Sequence, residues 1–245
     1  MGFISKKMKI RLFTIPNMLT LGNLVCGSVA TIAIIGSQDI KLAFWLVIIA
    51  AVFDFFDGFT ARLLKSSSAI GGELDSLADM VSFGLVPALA MYYTFLGAPQ
   101  ISNLSAEVME YAAYISLIIV AFSALRLAKF NVDDTQHAEF CGLPTPANAL
   151  FCLSLASLIA MGEFSLAKEW ILLISAVMAY LLISPIRMFA LKFKGFGLRG
   201  NEIRYGFILF SAIMIIAFTK YAIPAIIITY IVVSAIRWAI NRNKE

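Results

Sequence analysis

Long apolar stretches separated by short polar connections make up most of the 245-residue chain. Eight segments stay apolar over a helical length: 17–36, 41–61, 74–96, 108–129, 146–162, 168–190, 204–219 and 222–240. A helix rises 1.5 Å per residue, so about 20 residues cross a ~30 Å hydrocarbon layer. The pattern therefore predicts an all-α fold, a polytopic transmembrane helix bundle of about eight spans. The fifth and seventh segments are short for that task. Ahead of them, residues 1–15 interleave Lys6, Lys7, Lys9 and Arg11 with Phe3, Ile4, Met8, Ile10, Leu12 and Phe13. This mixture predicts a short amphipathic helix on an anionic membrane surface. A secretory signal is the alternative, but Asn17, Thr20 and Asn23 interrupt the next apolar run, which reads as a retained span.

Hydrophobic residues amount to 61% of the chain and charged residues to 14%, with a mean hydropathy of +0.89, which excludes an ordinary soluble domain. The charges orient the bundle. With an even number of spans, both termini and the connections after the second, fourth and sixth spans share one side. Sixteen of the nineteen Lys and Arg residues fall there, and only Lys41, Lys168 and Lys220 fall opposite. The basic side is the cytoplasmic one, and the expected location is the cell membrane. Cys26, Cys141 and Cys152 stand apart with no C-x-x-C pair, and His137 is the only histidine. Neither a disulfide framework nor a zinc site of Cys and His is indicated. The chain reads as one membrane-embedded domain, 1–245. Residues 1–15 are its juxtamembrane segment, 16–150 the region of catalytic motifs and 151–245 the C-terminal helices.

Two of the apolar stretches contain acids. The chain reads D-F-F-D-G-F-T-A-R from Asp54 to Arg62, then, after eight residues, G-G-E-L-D-S-L-A-D from Gly71 to Asp79. Helical offsets of three and four place Asp54, Asp57, Gly58 and Ala61 on one stripe. Gly71, Asp75, Asp79 and Ser82 form a matching stripe on the next helix. The short connection 62–70 makes the two helices antiparallel, so four carboxylates converge. One Asp at the centre of a membrane helix costs roughly 2.5–3.5 kcal/mol, and four cost on the order of 10. Two hard divalent cations held by carboxylate oxygens, Mg²⁺ or Mn²⁺, relieve that cost. Carboxylates lining an ion or proton path are the other reading. Gly58, Ala61 and Gly71 keep the neighbouring helix surface bare enough for a nucleotide to lie on backbone. Arg62, one turn from Asp57, can bind a phosphate. Asn17, Thr20, Asn23 and Gly27 share one face of the first span, as helix-packing residues or as a wall of the same site.

The spacing D-x-x-D-G-x-x-A-R, eight residues, G-x-x-x-D-x-x-x-D resembles the signature of the CDP-alcohol phosphatidyltransferase family at every fixed position. R-L-A-K-F-N (Arg126 to Asn131) and C-G-L-P-T-P-A (Cys141 to Ala147) resemble the second block of its phosphatidylserine synthase branch. Lys129 stands where that branch usually has a second arginine. The stretches 15–27 and 74–84 are similar to the branch as well, so the resemblance covers roughly residues 15–150. It implies transfer of a phosphatidyl group from CDP-diacylglycerol to L-serine, giving phosphatidylserine and CMP. It further implies Asp54, Asp57, Asp75 and Asp79 as ligands of two divalent cations, with Asp79 also accepting the acceptor's proton. Asn17, Thr20, Gly58, Ala61, Arg62 and Gly71 are the candidate CDP-lipid contacts. The serine carboxylate needs a cation, and Arg126 and Lys129, with Asn131, are the candidates.

Family members are commonly homodimers, which the resemblance carries over with the membrane lipids as surroundings and no nucleic acid as partner. Within the same chemistry, glycerol 3-phosphate or an inositol phosphate is the alternative acceptor, although a phosphorylated acceptor favours a denser cationic pocket. A cation transporter is the remote alternative, and it leaves Arg62 and the aligned small residues without a purpose. The segment 187–204 holds five cations and reads as a positive-inside loop or as a seat for anionic headgroups.

Overall fold

The structure, a computed structural model, describes residues 12–66, 69–133, 139–189, 197 and 201–242. Residues 1–11 of the expected amphipathic segment, His137 and most of the basic stretch 187–204 lie outside the described residues. The fold is helical, as expected. Helix α1 spans Ile15–Ser37; the Thr14 hydroxyl caps its N-terminus and Pro16 sits in the first turn, where no N–H is needed. Gln38, left-handed at φ 53°, ends α1, and the Asp39 carboxylate accepts from the Leu42 N–H at 2.9 Å to begin α2, Ile40–Leu63. So tight a turn forces α1 and α2 into an antiparallel pair packed along their length.

The chain re-enters as α3 (Ala69–Asp79), passes through a π-helical turn (Met80–Leu85) and continues as α4 (Val86–Gly97). Pro87 accounts for the irregularity. It has no N–H to offer the Phe83 carbonyl, and its ring crowds that carbonyl. The ladder resets, and the Val86 N–H bonds the Val81 carbonyl five residues back. After α5 (Ala106–Ala112) and a 3₁₀ turn (Ala113–Leu117) come α6 (Ile118–Val132), α7 (Thr145–Ala160), α8 (Lys168–Ile183), α9 (Glu202–Phe218) and α10 (Ala222–Arg242).

Among the described residues, five stretches are long and apolar enough to cross a membrane: Ile15–Ser37, Ile40–Leu63, Ile70–Gly97, Ala106–Val132 and Glu202–Arg242. The expected count of about eight is not reached on this criterion. The 16-residue helices α7 and α8 reach about 24 Å, short of ~30 Å. The fifth stretch is interrupted by a 3₁₀ turn at Thr219–Tyr221, and its two halves, α9 and α10, pack on one another. A second departure concerns the expected sixth span, 168–190. Its helix stops at Ile183, because Pro185 disfavours the helical conformation at Ser184, which sits at ψ 152°. Arg187–Phe189 then forms β2, antiparallel to β1 (Glu139–Cys141).

Helix α7 is the centre of the bundle. Ala149, Leu153 and Ala156 belong to the apolar cluster shared with α1, α2 and α4, while Phe151, Cys152 and Leu155 belong to the cluster shared with α4, α6, α8 and α10. A helix apolar on every side is one enclosed by others. The connections sort into two ends. At one end the N-terminal part of α1 meets the C-terminal part of α2, and β1 pairs with β2. At the other, Glu169 accepts from the Ile101 and Ser102 N–H groups, and Lys220 pairs with Glu163, to which the Tyr221 hydroxyl also donates. The Lys220 bond holds the Glu163 carboxyl below its ordinary range.

Candidate active site

The acids lie at the first of these ends. Oxygens of Asp54 and Asp57 on α2 and of Asp75 on α3 fall within 4.8 Å of one another. The structure brings three of the four predicted carboxylates into that set. Asp79 lies one turn further along α3, 7% exposed, where it accepts from Asn23 Nδ2 at 3.1 Å. It remains an electrostatic neighbour of Asp54 and Asp75. Helix α1 supports both groups of acids. The Thr20 hydroxyl lies 2.6 Å from Asp57 Oδ2, and the Ser82 hydroxyl in the π turn donates to the Asn23 carbonyl at 3.0 Å.

Close approach of α1 to the π turn requires Gly27. A Cβ there would stand 2.2 Å from Ser82 Oγ and 2.8 Å from the Ser82 Cα. The polar face of α1 thus serves both readings made from the sequence. Asn17 and Thr20 face the site, Asn23 holds Asp79, and Gly27 is a packing residue.

A cavity of about 290 Å³ opens beside the acids, bounded by Asp57 and Asp75. All six candidate CDP-lipid residues, Asn17, Thr20, Gly58, Ala61, Arg62 and Gly71, line it, together with Pro16, Ser66 and Gly72. A Cβ built on Gly58 meets only Arg62 Nη1, at 3.6 Å, and one on Gly72 meets nothing within 4 Å. The small residues leave open space, with a guanidinium on one wall and carboxylates on another.

The three candidate acceptor contacts separate. Arg126, 8% exposed on α6, lies within electrostatic reach of Asp79 and Asp54 and donates to the Thr145 hydroxyl at 3.1 Å. Lys129 is exposed and lies 3.4 Å from Cys141 Sγ on β1. Asn131 donates to Ser76 on α3 at 2.9 Å. Of the three, Arg126 alone is buried against the acids.

The donor set suits a hard divalent cation: three carboxylates offer oxygens at the spacing of a shared ion, with no soft ligand among them. Asp75 Oδ1 is buried without a hydrogen bond, and so is Asn23 Oδ1. A buried carboxylate oxygen that nothing satisfies marks a position where a cation fits.

The sequence profile described as CDP-alcohol phosphatidyltransferase matches residues 13–196, three quarters of the chain and all four acids. The chain belongs to the CDP-alcohol phosphatidyltransferase family. Members of this family transfer phosphatidyl groups and generally use divalent cations, in keeping with the aspartate triad. A Bacillus subtilis protein named CDP-diacylglycerol–serine O-phosphatidyltransferase is 33% identical over 180 residues, covering 71% of this chain and 88% of that protein. Proteins of the same name from Helicobacter pylori and Methanocaldococcus jannaschii are each 35% identical, over 141 and 150 residues. These alignments cover 57% and 61% of this chain and 55% and 63% of those two proteins.

Sequence reasoning missed three contributors to this family site. The π turn beginning immediately after Asp79 was signalled only by Pro87. Thr145, within the motif Cys141 to Ala147, accepts from Arg126. Tyr230 on α10, the one hydroxyl-bearing aromatic in 222–240, lies within electrostatic reach of Arg126 and donates to the Phe189 carbonyl at 3.0 Å.

Proposed function

We propose that this chain transfers the phosphatidyl group of CDP-diacylglycerol to L-serine, giving phosphatidylserine and CMP, at the cytoplasmic face of the cell membrane. The single observation that carries the reading is the meeting of three carboxylates with a cavity of bare helix surface and Arg62. The positive-inside distribution of lysine and arginine supports the cytoplasmic orientation of that cavity. The names of the relatives support serine as acceptor. The chain works as one membrane-embedded unit and, like its family, as a homodimer, for which light scattering of the detergent-solubilised protein should return twice the protomer mass.

Asp54, Asp57, Asp75 and Asp79 hold two divalent cations, Mg²⁺ or Mn²⁺, which when bound offset the charge of the pyrophosphate and polarise the reacting oxygens. Arg62 binds the pyrophosphate. Asn17, Thr20, Gly58, Ala61 and Gly71 seat the cytidine and its phosphates. The serine hydroxyl oxygen forms a bond to the phosphatidyl phosphorus, the bond from that phosphorus to the CMP oxygen breaks, and the hydroxyl proton passes to Asp79. Asn23, donating to Asp79, fixes the orientation of that carboxylate. Arg126, with Lys129 and Asn131 nearer the surface, receives the serine carboxylate.

Two substitutions test these roles. Asp79→Asn should lower CMP release on the order of 10²- to 10⁴-fold, the usual worth of a general base. Retained turnover with Mn²⁺ still bound removes the base assignment. Arg126→Met removes a charge-assisted bond of about 1.5–3 kcal/mol and should raise the serine requirement roughly 10- to 100-fold. The CDP-lipid requirement should stay nearly constant, and an equal effect on both substrates means that Arg126 serves folding or phosphate binding. The acceptor itself is tested by incubating purified protein with CDP-diacylglycerol and Mn²⁺ or Mg²⁺ and following CMP release with each alcohol in turn. Serine should support release, whereas release with glycerol 3-phosphate or an inositol phosphate instead would overturn the assignment.

A further inference from the structure

The central helix α7 carries a single amide side chain, Asn148, and it is fully buried. Buried hydroxyls near it are satisfied within their own helices: Thr94 donates to the Ala90 carbonyl at 2.7 Å and Ser154 to the Phe151 carbonyl at 2.9 Å. Asn148 has no such outlet. Neither its Nδ2 nor its Oδ1 makes a hydrogen bond, so a donor and an acceptor are held out of water with nothing to meet. Two groups on α6 share that condition. Ser123 is fully buried with its Oγ unpartnered, and Arg126, three residues on and so on the same face, has an unpartnered Nε.

The bond from Arg126 Nη1 to the Thr145 hydroxyl sets the two helices against each other. Helix α6 runs toward the end of the bundle that holds the acids, where Asn131 reaches Ser76 on α3, and α7 runs away from that end. Ser123, three residues before Arg126, and Asn148, three after Thr145, therefore both stand about one turn inside that bond, ~4.5 Å along the helices. The π turn that follows Asp79 lies directly against this face, since a Cβ on its Gly84 would stand 3.2 Å from the Ser123 Cβ. Neither Ser123 nor Asn148 lines the cavity assigned to the CDP-lipid.

These groups ask for a ligand of mixed character. Arg126 offers donors alone, while Asn148 Oδ1 and Ser123 Oγ can accept. A phosphorylated acceptor answers the guanidinium but brings no cationic donor for the amide oxygen. An amino alcohol brings that donor and leaves the guanidinium unanswered. An α-amino acid carries a carboxylate and an ammonium on one carbon and answers both. We propose that Asn148 is a specificity residue of the transfer site: its Oδ1, together with Ser123 Oγ, accepts from the α-ammonium of the amino acid whose carboxylate rests on Arg126. This role rests on the function proposed above and adds to it the group that tells an amino acid from a hydroxy acid.

The test is CMP release by the full-length protein with CDP-diacylglycerol and Mn²⁺, titrating L-serine and, separately, 3-hydroxypropionate, which keeps the hydroxyl and carboxylate of serine and lacks the amine. The unaltered protein should prefer serine by at least about 100-fold in kcat/KM, because a site built to hydrogen-bond a substrate group rejects the analogue without it. Asn148→Leu should reduce that preference roughly 10- to 100-fold, through the KM for serine, and leave the KM for the CDP-lipid unchanged. Since the amide has no protein partner, the leucine variant should melt no lower than the unaltered protein. Ser123→Ala, a smaller change, should reduce the preference in the same direction and keeps the test decisive where leucine does not fit. A preference undiminished in both variants would overturn the proposal. So would an equal loss with both acceptors, which makes Asn148 a structural residue. Serine turnover accompanied by either result removes the role of Asn148 alone, whereas CMP release with glycerol 3-phosphate and none with serine removes the serine assignment together with it.

Discussion

Replacing Asp75 by Asn should reduce CMP release on the order of 10³-fold while leaving the protein folded. Cation stabilisation of a transition state supplies several kcal/mol, and about 4 kcal/mol corresponds to three decades of rate. Asp75 is the sharpest choice among the acids because its Oδ1 is a buried oxygen with no hydrogen bond, whereas Asp57 Oδ2 lies against the Thr20 hydroxyl and Asp79 Oδ1 accepts from Asn23. The amide matches the carboxylate in shape but lacks its charge. In the metal-free protein the change also removes a negative group from a crowded set, so thermal stability without metal should hold or rise. Mn²⁺ at a hundred times its dissociation constant stabilises the original protein by about 2.7 kcal/mol, and the variant should lose that increment. A variant that kept both its Mn²⁺-induced melting shift and its turnover would separate the acids from the chemistry. A variant that melted lower without metal would mean that Asp75 has a structural role.

The second large effect is expected at Gly58. Leucine there extends from a Cβ whose nearest neighbour is Arg62 Nη1 at 3.6 Å, directly into the cavity of about 290 Å³. The site must then exclude part of the nucleotide or displace the helix, at a cost of about 1–3 kcal/mol, roughly 5- to 140-fold in affinity. Stability moves the other way. Gly58 is inside α2, and glycine is about 0.8–1 kcal/mol less favourable than alanine in a helix interior, with leucine close to alanine. Gly58→Leu should therefore melt no lower than the original protein while binding CDP-diacylglycerol far more weakly, as measured by equilibrium binding of radiolabelled lipid in detergent. Unchanged affinity would contradict the steric role of the small residues. Weakened binding with a lowered melting temperature would move the effect from the cavity to the fold.

These two variants rest on features that were legible in the sequence. Carboxylates and glycines at offsets of three and four, on two helices joined by a short connection, could meet in only one way, and Asp54, Asp57, Asp75, Gly58, Ala61, Arg62 and Gly71 are found together. The relation of Asp79 to the others was harder to read. Periodicity puts it on the stripe of Asp75, but the site is also shaped by how closely α1 approaches, and that depends on Gly27 against Ser82 in a π turn. A proline four residues ahead of a carbonyl was the only local signal of that turn.

Long-range geometry was the part most hidden. Arg126 and Lys129 are neighbours on a helix face, yet Arg126 turns into the bundle toward Thr145 while Lys129 meets Cys141 on β1. The β1–β2 pairing joins three-residue strands more than forty residues apart, with no hairpin turn to announce it. Hydropathy alone also could not tell spanning helices from enclosed ones. The short α7 is apolar because other helices surround it, a property that composition shares with exposure to lipid.

The most direct test is diffraction from crystals grown with Mn²⁺ and CDP-diacylglycerol, recorded at a wavelength where manganese scatters anomalously. Anomalous peaks are expected between the carboxylates of Asp54, Asp57 and Asp75, touching the pyrophosphate, with the cytidine against Gly58 and Ala61. A well-ordered nucleotide lipid with the three carboxylates turned apart and no anomalous density among them would contradict it.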